Sequence, residues 1–384
     1  MAAFAAEEFA TRLEATRDLM ARRHLTTLCL VGPENVYYLS GLDHQGYFAF
    51  TMLVLPLTGR PLLITRAMEL ETVAAQAPDC LHIPFQDGAG PAAAAAGAIR
   101  DATEAGGSVG VELASTYLPV TVWERLRAQL GGVRLTDGSG LVEAARAVKS
   151  TAEIDHVRRA AAISDASMTA GIAAVHPGVN ERDVAAAIYD AMIRAGGEYP
   201  GFVPLVRSRD RLLQEHGTWR DHVVPAGSAL FLELSGVSGR YHAPCSRMVY
   251  LGRPPEGTDV AAGIALDGLA AVREALRPGT VAAEVYAAWQ KVVDSGLGHS
   301  RYRRHHCGYL TGIGFPPSWV GGSVVEGLRH DSDLEIRVGM VFHVLSWILD
   351  QEPADYVVSD TMLVTADGGE VLTTTDRSPI TRGG

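Results

Sequence analysis

Apolar residues in the first part of this chain occur in short runs separated by turn residues. The runs TTLCLVG (residues 26–32) and SVGVEL (residues 108–113) are typical of buried strands. Two more runs, FTMLVLP and RPLLIT, flank a turn at residues 58–59, which predicts a β-hairpin. We therefore expect several strands within the first 145 residues.

Between these runs the apolar positions have helical spacing. Residues 67–76 and 120–130 each predict a helix. At the N-terminus, Phe9, Leu13 and Met20 share one side of an amphipathic helix. Strands that alternate with helices in this way predict a small α/β domain.

A second domain is expected to begin close to Lys149. Ser150 and Glu153 have the spacing of a capping box, and an apolar helical stripe runs from Ile154 to Val175. The composition also becomes rich in Ala at this point. We predict an N-terminal domain over residues 1–147 and a catalytic domain over residues 148–384.

The second domain contains a weak internal repeat. Pro177 and Gly178 open one amphipathic segment, and Pro278 and Gly279 open another, at an offset of 278 − 177 = 101 residues. Four more positions keep this offset: Asp183/Glu284, Val184/Val285, Ile188/Trp289 and Met192/Val293. We interpret the repeat as a duplication, in which two α/β halves related by a pseudo-twofold axis enclose a pocket between their sheets.

Composition limits the classes of function. The chain has 384 residues, 47% of them hydrophobic, and a net charge of −11, which argues against nucleic-acid binding. No apolar run is long enough to span a bilayer, and the acidic N-terminus does not resemble a signal peptide, so we expect a cytoplasmic protein without a membrane partner. The four cysteines form no C-x-x-C pair and predict neither a zinc site nor a disulfide framework.

Residues 231–247, FLELSGVSGRYHAPCSR, have the layout of a metal-binding strand pair. The first strand carries a carboxylate at Glu233, and Arg247 closes the second. Pro244 stands where a second metal ligand is expected, and a proline side chain cannot bind a metal. The pattern predicts a metallohydrolase scaffold whose site has lost its metal.

Several segments resemble the "pita-bread" family of creatinase, aminopeptidase P and methionine aminopeptidase. NVYYLSGLDHQGYF and LLITRAMELE resemble the N-terminal domain of the creatinase and prolidase branch, and AVKSTAEIDHVRRAA resembles the entry helix of the catalytic domain. GMVFHV and SDTMLVTADGGEVLT resemble the last two strands of that domain. The resemblance implies a pita-bread fold for the second domain.

The peptidases of this family hold two metal ions with two Asp, one His and two Glu. In this chain the corresponding positions hold Glu233, Pro244, Tyr309, Leu345 and Ser359, with Asp360 as the alternative to Ser359 if the register is one residue off. One carboxylate with at most a neighbouring Asp would bind a divalent ion poorly. The comparison therefore predicts no metal and no cofactor.

The segments EHGTWRD, LELSGVSGRYHAPCSR and GYLTGIGFPPSW most resemble the branch of ectoine hydrolase and creatinase, which works without metal. This likeness implies a homodimer that hydrolyses a non-peptide C–N bond in a small zwitterion with an amidine or guanidine group. It also implies that His216 is the catalytic histidine, a natural proton shuttle near neutral pH. The alternative for His216 is an ordinary surface-loop histidine.

Glu233 is the second expected catalytic residue, because a carboxylate on an apolar strand is costly unless it is paired or functional. It could bind a cationic amidinium through charge-assisted hydrogen bonds, or attack the amidine carbon. The alternative is a buried salt bridge to Arg240 or Arg247.

The remaining candidates are expected to bind the substrate, and each has ordinary packing as its alternative. Strand alternation places His242 on the side of Pro244 and His343 on the side of Leu345. Tyr309 replaces a metal-binding His and could donate a hydrogen bond, and Trp219 and Trp347 could pack on a flat cation. The full set of expected binding residues is Trp219, Tyr241, His242, Tyr309, His343, Trp347 and Arg66, the last from a partner subunit and directed at a substrate carboxylate.

Three other functions stay open on the sequence. A prolidase-like Xaa-Pro metallopeptidase would use ligands other than those named above. A biosynthetic cyclase or lyase could use the same acid–base pair, and a non-catalytic member of the fold would only bind a ligand.

Overall fold

The computed structural model describes residues 3–321, 325–352 and 354–383 of a mixed α/β chain. These residues form two compact units, residues 3–146 and the described residues from 147 to 383. None of the described helices is both long enough and apolar enough to cross a membrane.

The first unit is a six-stranded sheet with helices. Its elements are α1 (Ala6–Arg22), β1 (Thr27–Leu30), α2 (Pro33–Ser40), β2 (Met52–Pro56), β3 (Leu62–Arg66), α3 (Leu70–Gln76), β4 (Leu81–Phe85), α4 (Ala92–Ala102), β5 (Ser108–Val111), α5 (Val120–Gln129), β6 (Arg134–Asp137) and α6 (Leu141–Arg146). The strand order is β4-β3-β2-β1-β5-β6, and β2 and β3 form the predicted antiparallel hairpin. The helix expected over residues 67–76 begins with a short 3-10 turn, and α3 follows it.

The second unit contains an eight-stranded sheet. Its elements are α7 (Thr151–Ala174), α8 (Glu181–Arg194), β7 (Leu205–Ser208), β8 (Ala229–Ser238), β9 (Tyr241–Leu251), α9 (Thr258–Ala275), α10 (Ala282–Leu297), β10 (Gly308–Leu310), β11 (Val341–Ile348), β12 (Tyr356–Thr365), β13 (Gly368–Val371) and β14 (Ile380–Arg382). β13 pairs with β12, and β14 pairs with β9.

The element order of the second unit confirms the internal repeat. Two helices followed by three strands occur twice, first as α7-α8-β7-β8-β9 and then as α9-α10-β10-β11-β12. The strand order β10-β11-β12-β9-β8-β7 is symmetric about the contact between β12 and β9. Each half therefore contributes three strands to one continuous sheet, and the last strands of the two halves meet at its centre.

Helix α7 begins at the predicted capping box. The Ser150 side chain accepts a hydrogen bond from the Glu153 amide at 3.2 Å, and the Glu153 carboxylate accepts one from the Ser150 amide at 2.8 Å. Two of the amide groups at the helix start thus find partners within the same turn, which fixes where the helix begins.

Strand alternation gives the eight-stranded sheet two faces with different roles. Leu230, Leu232 and Leu234 of β8 point to one face and pack in a buried cluster with residues of α7 and α8. Glu233 points to the other face, because successive side chains of a strand alternate. We call this second side the site face.

Candidate functional site

Cross-strand register brings three of the expected metal-ligand positions, those of Glu233, Leu345 and Ser359, into one row on the site face together with Ser246. Glu233 of β8 pairs with Ser246 of β9, Ser246 with Ser359 of β12, and Ser359 with Leu345 of β11. Residues directly opposite each other on paired strands project to the same side, so these positions form one row across four strands. Tyr309 of β10 joins this face through its pairing with His343, which lies two residues before Leu345.

A chain of hydrogen bonds crosses the site face. The Trp319 indole N–H donates to the Tyr309 hydroxyl at 2.9 Å, and this hydroxyl lies 2.8 Å from His343 Nδ1. His343 Nε2 lies 2.7 Å from the Ser359 hydroxyl, which donates to the Ser246 hydroxyl at 2.8 Å. With this direction, the Ser359 oxygen accepts from Nε2–H of His343, and Nδ1 accepts from Tyr309.

His343 is therefore a neutral histidine with both ring nitrogens bonded. It is fully buried, and burial lowers the pKa of His343 to about 3. Burial also raises the pKa of the Tyr309 hydroxyl, with a further increase from the negative charge of Glu233. The two side chains thus present uncharged hydrogen-bonding groups where the family's peptidases bind metal.

Glu233 is buried without a hydrogen-bond partner among the described residues. Its side chain is 5% exposed, and one carboxylate oxygen lies 3.9 Å from His343 Nε2, which is too long for a hydrogen bond. Because His343 is neutral, this contact is not an ion pair. Burial raises the pKa of Glu233 to about 7, although the positive charge of Arg207 acts in the opposite direction.

The two arginines expected as salt-bridge partners of Glu233 bond elsewhere. Arg247 donates to Asp360 at 2.9 Å, and Arg240 donates to the backbone carbonyls of Tyr199 and Gly314 at 2.9 Å. Asp360 follows Ser359 in β12 and so points away from the site face. Of the two, Ser359 and not Asp360 shares the site face with Glu233.

His216 lies in the loop between β7 and β8. The side chain is exposed, and its ring centre is 6.3 Å from that of Phe202. Phe202 in turn packs edge-on against Trp319 at 4.8 Å, next to the Tyr309 end of the hydrogen-bond chain. The structure thus brings His216 to the edge of the site through aromatic packing.

Trp347 lies on the site face, two residues beyond Leu345. Its ring packs edge-on against Phe231 at 5.4 Å, and the Arg304 guanidinium lies 5.2 Å from the ring centre. The indole N–H is buried and has no partner within the described part of the chain. Arg304 also forms an ion pair with Glu215 at 2.6 Å, beside His216.

His242 is on the expected face, but both of its ring nitrogens bond to backbone groups. Nε2 accepts a hydrogen bond from the Gly201 amide at 2.9 Å, and Nδ1 lies 2.9 Å from the Arg240 carbonyl oxygen. Burial lowers the pKa of His242 to about 3, and the charge of Arg240 lowers it further. Both nitrogens thus bond to the backbone, which favours the packing alternative for His242, and its substrate contact stays a prediction.

Two other expected binding residues have partners away from the site face. The Tyr241 hydroxyl donates to Glu153, and its ring stacks on His156. Trp219 packs against the buried cluster on the helix side of the sheet. Arg66, expected to act from a partner subunit, lies in the first unit and donates two hydrogen bonds to Asp87, at 2.8 and 2.7 Å; its role stays a prediction.

Arg207 was not among the residues predicted from sequence. It lies on β7, two residues after Leu205, and Leu205 pairs with Glu233. Residues two apart on a strand point to the same side, so Arg207 is on the site face as well. The only sequence signal is a single arginine within the short apolar run LVRS, which carries no recognisable motif. The position of Arg207 beside β8 follows only from the pairing of the two strands.

The side chains present do not fit a pair of divalent ions. The ligand positions on the site face supply one carboxylate, two hydroxyl groups, one Leu and one Pro. Across residues 3–321, 325–352 and 354–383, no three His, Cys, Asp or Glu side chains are grouped so that they could hold a metal ion. Divalent ions need several negatively charged or strongly donating ligands at fixed geometry.

Two family profiles match consecutive parts of the chain. The Creatinase/Prolidase N-terminal domain matches residues 12–148, and Metallopeptidase family M24 matches residues 155–366. Among individual proteins, the ectoine hydrolase of Halomonas elongata is 30% identical over 390 residues, which cover 96% of each protein. A Xaa-Pro dipeptidase of Pyrococcus horikoshii is 26% identical over 273 residues, 71% of this chain and 75% of that protein.

Solved structures of prolidases share the fold at low identity. A Xaa-Pro dipeptidase from Bacillus anthracis superposes with a TM-score of 0.83 at 20% identity, over 97% of this chain and 99% of the other. A prolidase from Thermococcus sibiricus superposes with a TM-score of 0.86 at 20% identity, over 98% of this chain and 100% of the other. These structural matches establish the architecture of both units.

Proposed function

This chain belongs to metallopeptidase family M24, a family of hydrolases, and within it we propose that the chain hydrolyses a C–N bond in a small cyclic amidine or guanidino acid without a metal ion. The proposed substrate is a zwitterion with one delocalised positive charge. The full-length similarity to an ectoine hydrolase supports a substrate of this kind.

The observation that carries the proposal is the unpartnered carboxylate of Glu233. A buried carboxylate that accepts no hydrogen bond is costly in the free protein. An amidinium or guanidinium group would offer it N–H donors in a charge-assisted arrangement and would offset that cost. The other ligand positions are neutral, so the row suits one positive charge and not two metal ions.

Glu233 is also placed to move a proton. With a pKa of about 7, a substantial fraction of the carboxylate is ionised at neutral pH and can accept a proton from water. The water oxygen then bonds to the amidine carbon, and the C–N bond breaks as the leaving nitrogen takes up a proton. We assign the delivery of that proton to His216 at the edge of the site.

A second route uses the same carboxylate as a nucleophile. Glu233 would bond to the amidine carbon, the leaving nitrogen would depart with a proton, and water would then hydrolyse the acyl–enzyme intermediate. In a single turnover in ¹⁸O-water, this route can place the label in the Glu233 carboxylate. The general-base route places it in the product alone.

Uncharged groups would orient the substrate. Tyr309 and His343, joined in one hydrogen-bond chain, would form an uncharged wall beside the substrate, and Trp347 presents an indole ring beside Phe231. A flat cation can pack on such a ring. We also propose that the protein is a homodimer, for which light scattering would give twice the 40.8 kDa of one chain.

Xaa-Pro dipeptide hydrolysis is the second candidate function, because relatives of that name match most of this chain. The ligand row argues against it, since family peptidases rely on two Asp, one His and two Glu. The decisive experiment is a mass-spectrometric screen of purified protein against ectoine, hydroxyectoine, creatine, other guanidino acids and Xaa-Pro dipeptides.

We expect turnover of an amidine or guanidino acid in the presence of a chelator. Cleavage of Xaa-Pro dipeptides that requires added manganese, zinc or cobalt would replace the proposal with the peptidase function. Ring closure of an open-chain substrate would indicate a cyclase. Binding without turnover of any of these compounds would indicate a non-catalytic member of the fold.

A further inference from the structure

Arg207 is a fully buried cation on the site face. It forms no salt bridge with any other described residue. It lies opposite Phe231 in the pairing of β7 with β8, and its guanidinium carbon is 4.4 Å from the centre of the Phe231 ring. No carboxylate accepts a hydrogen bond from it within the described residues. Its bonding partners are backbone oxygens instead.

One nitrogen of Arg207 holds the loop that carries His216. Nη1 donates to the carbonyl oxygens of Gln214 at 2.9 Å, of Glu215, and of Gly217 at 3.3 Å. These three carbonyls lie on both sides of His216 in the chain. Arg207 therefore ties the segment around the exposed His216 to a buried strand, in addition to the ion pair between Arg304 and Glu215.

The other nitrogens of Arg207 are buried without partners. Nε and Nη2 find no acceptor among the described residues. Unsatisfied buried donors are uncommon and costly, and a nearby negative charge is the compensation that the surroundings provide. The register supplies that charge: Leu205 lies opposite Glu233 and Arg207 opposite Phe231, so Arg207 and Glu233 are diagonal neighbours on one face of the sheet. The charges that act on Arg207 are those of Glu233, then Glu215, and in the opposite sense Arg211.

We propose that Arg207 is a positioning residue for the reaction, because one guanidinium fixes the His216 loop and places its positive charge beside Glu233. The inference rests on the proposed function, in which Glu233 and His216 move the proton. Arg207 would act through these two groups, because its hydrogen bonds to described residues all go to carbonyl oxygens of the His216 loop. Arg207 holds the His216 loop in a fixed position relative to the Glu233 carboxylate.

The test compares Arg207→Lys and Arg207→Met with Arg211→Met as the matched control. Arg211 is also largely buried and donates to the Thr218 carbonyl at 3.1 Å and to Glu181. It therefore anchors the end of the same loop, but its carboxylate partner is Glu181 and not Glu233. Two measurements on the full chain need no substrate. The first is hydrogen–deuterium exchange of the loop amides. The second is infrared titration of the Glu233 carboxyl group, whose band is assigned because it is absent in Glu233→Gln.

We expect Arg207→Met to increase exchange of the Gly217 amide by ~10-fold or more and to move the Glu233 titration to higher pH by about one unit. Arg207→Lys should increase exchange but move the titration much less, because it keeps the charge. Arg211→Met should leave the Glu233 titration in place. With a substrate in hand, Arg207→Met should lower kcat and move the acid limb of its pH profile upward.

Wild-type exchange of the loop together with an unmoved Glu233 titration in Arg207→Met would overturn the inference. If Arg207→Met does not fold, a folded Arg207→Lys with wild-type loop exchange overturns it equally. These two readouts do not depend on turnover. A wild-type protein that hydrolyses no amidine or guanidino acid would instead refute the proposed function, which keeps the two failures distinct.

Discussion

At the scale of single residues, the site depends on which groups carry charge. The described site face combines one carboxylate of raised pKa with histidines that burial holds neutral. Glu233 is thus the group whose protonation changes near neutral pH, whereas His343 accepts and donates hydrogen bonds without titrating there. This separation of roles leads to two predictions about Glu233.

Glu233→Gln should abolish turnover, with a loss of at least ~10³-fold, because the amide can neither accept the proton nor attack the carbon. The steady-state rate with the substrate identified in the screen measures the effect. Glu370→Gln is the matched control, since Glu370 lies in the same unit and pairs with Arg158 at 2.6 Å. Turnover in Glu233→Gln at the wild-type rate would rule out both mechanisms proposed above.

Glu233 should also make stability depend on pH. Its pKa is raised from 4.5 to about 7 on folding, so the folded state binds more protons between these values and stability falls as pH rises from about 4.5 to 7. Glu233→Gln removes this loss. The free energy of unfolding of the variant minus that of wild type should therefore be roughly 2–3 kcal/mol larger at pH 8 than at pH 5.

Urea unfolding followed by tryptophan fluorescence measures this difference. Four of the five tryptophans, Trp219, Trp289, Trp319 and Trp347, lie in the second unit with Glu233, so the signal reports mainly on that unit. Glu112 of the first unit also has a pKa raised to about 7, and it is unchanged in both proteins. A pH-independent difference between variant and wild type would show that Glu233 titrates normally.

At the scale of elements, local hydrogen bonds determine where helices begin, and register determines which side chains meet. The capping box at Ser150 and Glu153 is visible in the sequence and is confirmed in the structure. The site row, in contrast, needs four strands from both halves of the repeat. The last strand of one half lies beside the last strand of the other, which places Ser246 next to Ser359.

Ser150→Ala should destabilise the second unit by about 1 kcal/mol, because the Glu153 amide loses its acceptor at the start of α7. The same fluorescence-detected urea unfolding measures the change. Ser150→Asp is the control and should retain most of the stability, since an aspartate oxygen can accept the same bond. Equal losses in the two variants would show that the cap contributes little.

At the scale of the whole molecule, the chain has the fold of its family together with a site face that holds a single carboxylate at the expected ligand positions. Both profiles and the prolidase structures match nearly the full chain, yet the ligand row contains a single carboxylate. The strands and their order come from the distribution of apolar residues. The chemistry comes from a few positions on one face, and these can change without disturbing the core.

Removal of metal should therefore leave activity unchanged. We expect the purified chain to contain well below one equivalent of manganese, zinc or cobalt by elemental analysis, because one carboxylate holds such ions weakly. Turnover should persist after dialysis against EDTA. Loss of turnover on chelation, with recovery on adding one of these ions, would contradict the expectation.

The sequence anticipated most of the fold and part of the site. Apolar periodicity and capping signals depend on neighbours within a few residues, so they predicted the hairpin, α7 and the repeat. The same signals could not separate His242 from His343, since both are single histidines in apolar strands. Their difference lies in distant partners: backbone groups of Gly201 and Arg240 for His242, and side-chain hydroxyls of Tyr309 and Ser359 for His343.

By itself, the sequence determined the α/β class, the family, the duplicated half and the identity of the residues at the positions expected to bind metal. These depend on local patterns and on motif spacing. Only the tertiary structure decided that Glu233 has no hydrogen-bond partner among the described residues, that Arg240 and Arg247 bond elsewhere, and that Arg207 reaches the His216 loop. Such partnerships join residues far apart in the chain, and they exist only once the strands have paired in register.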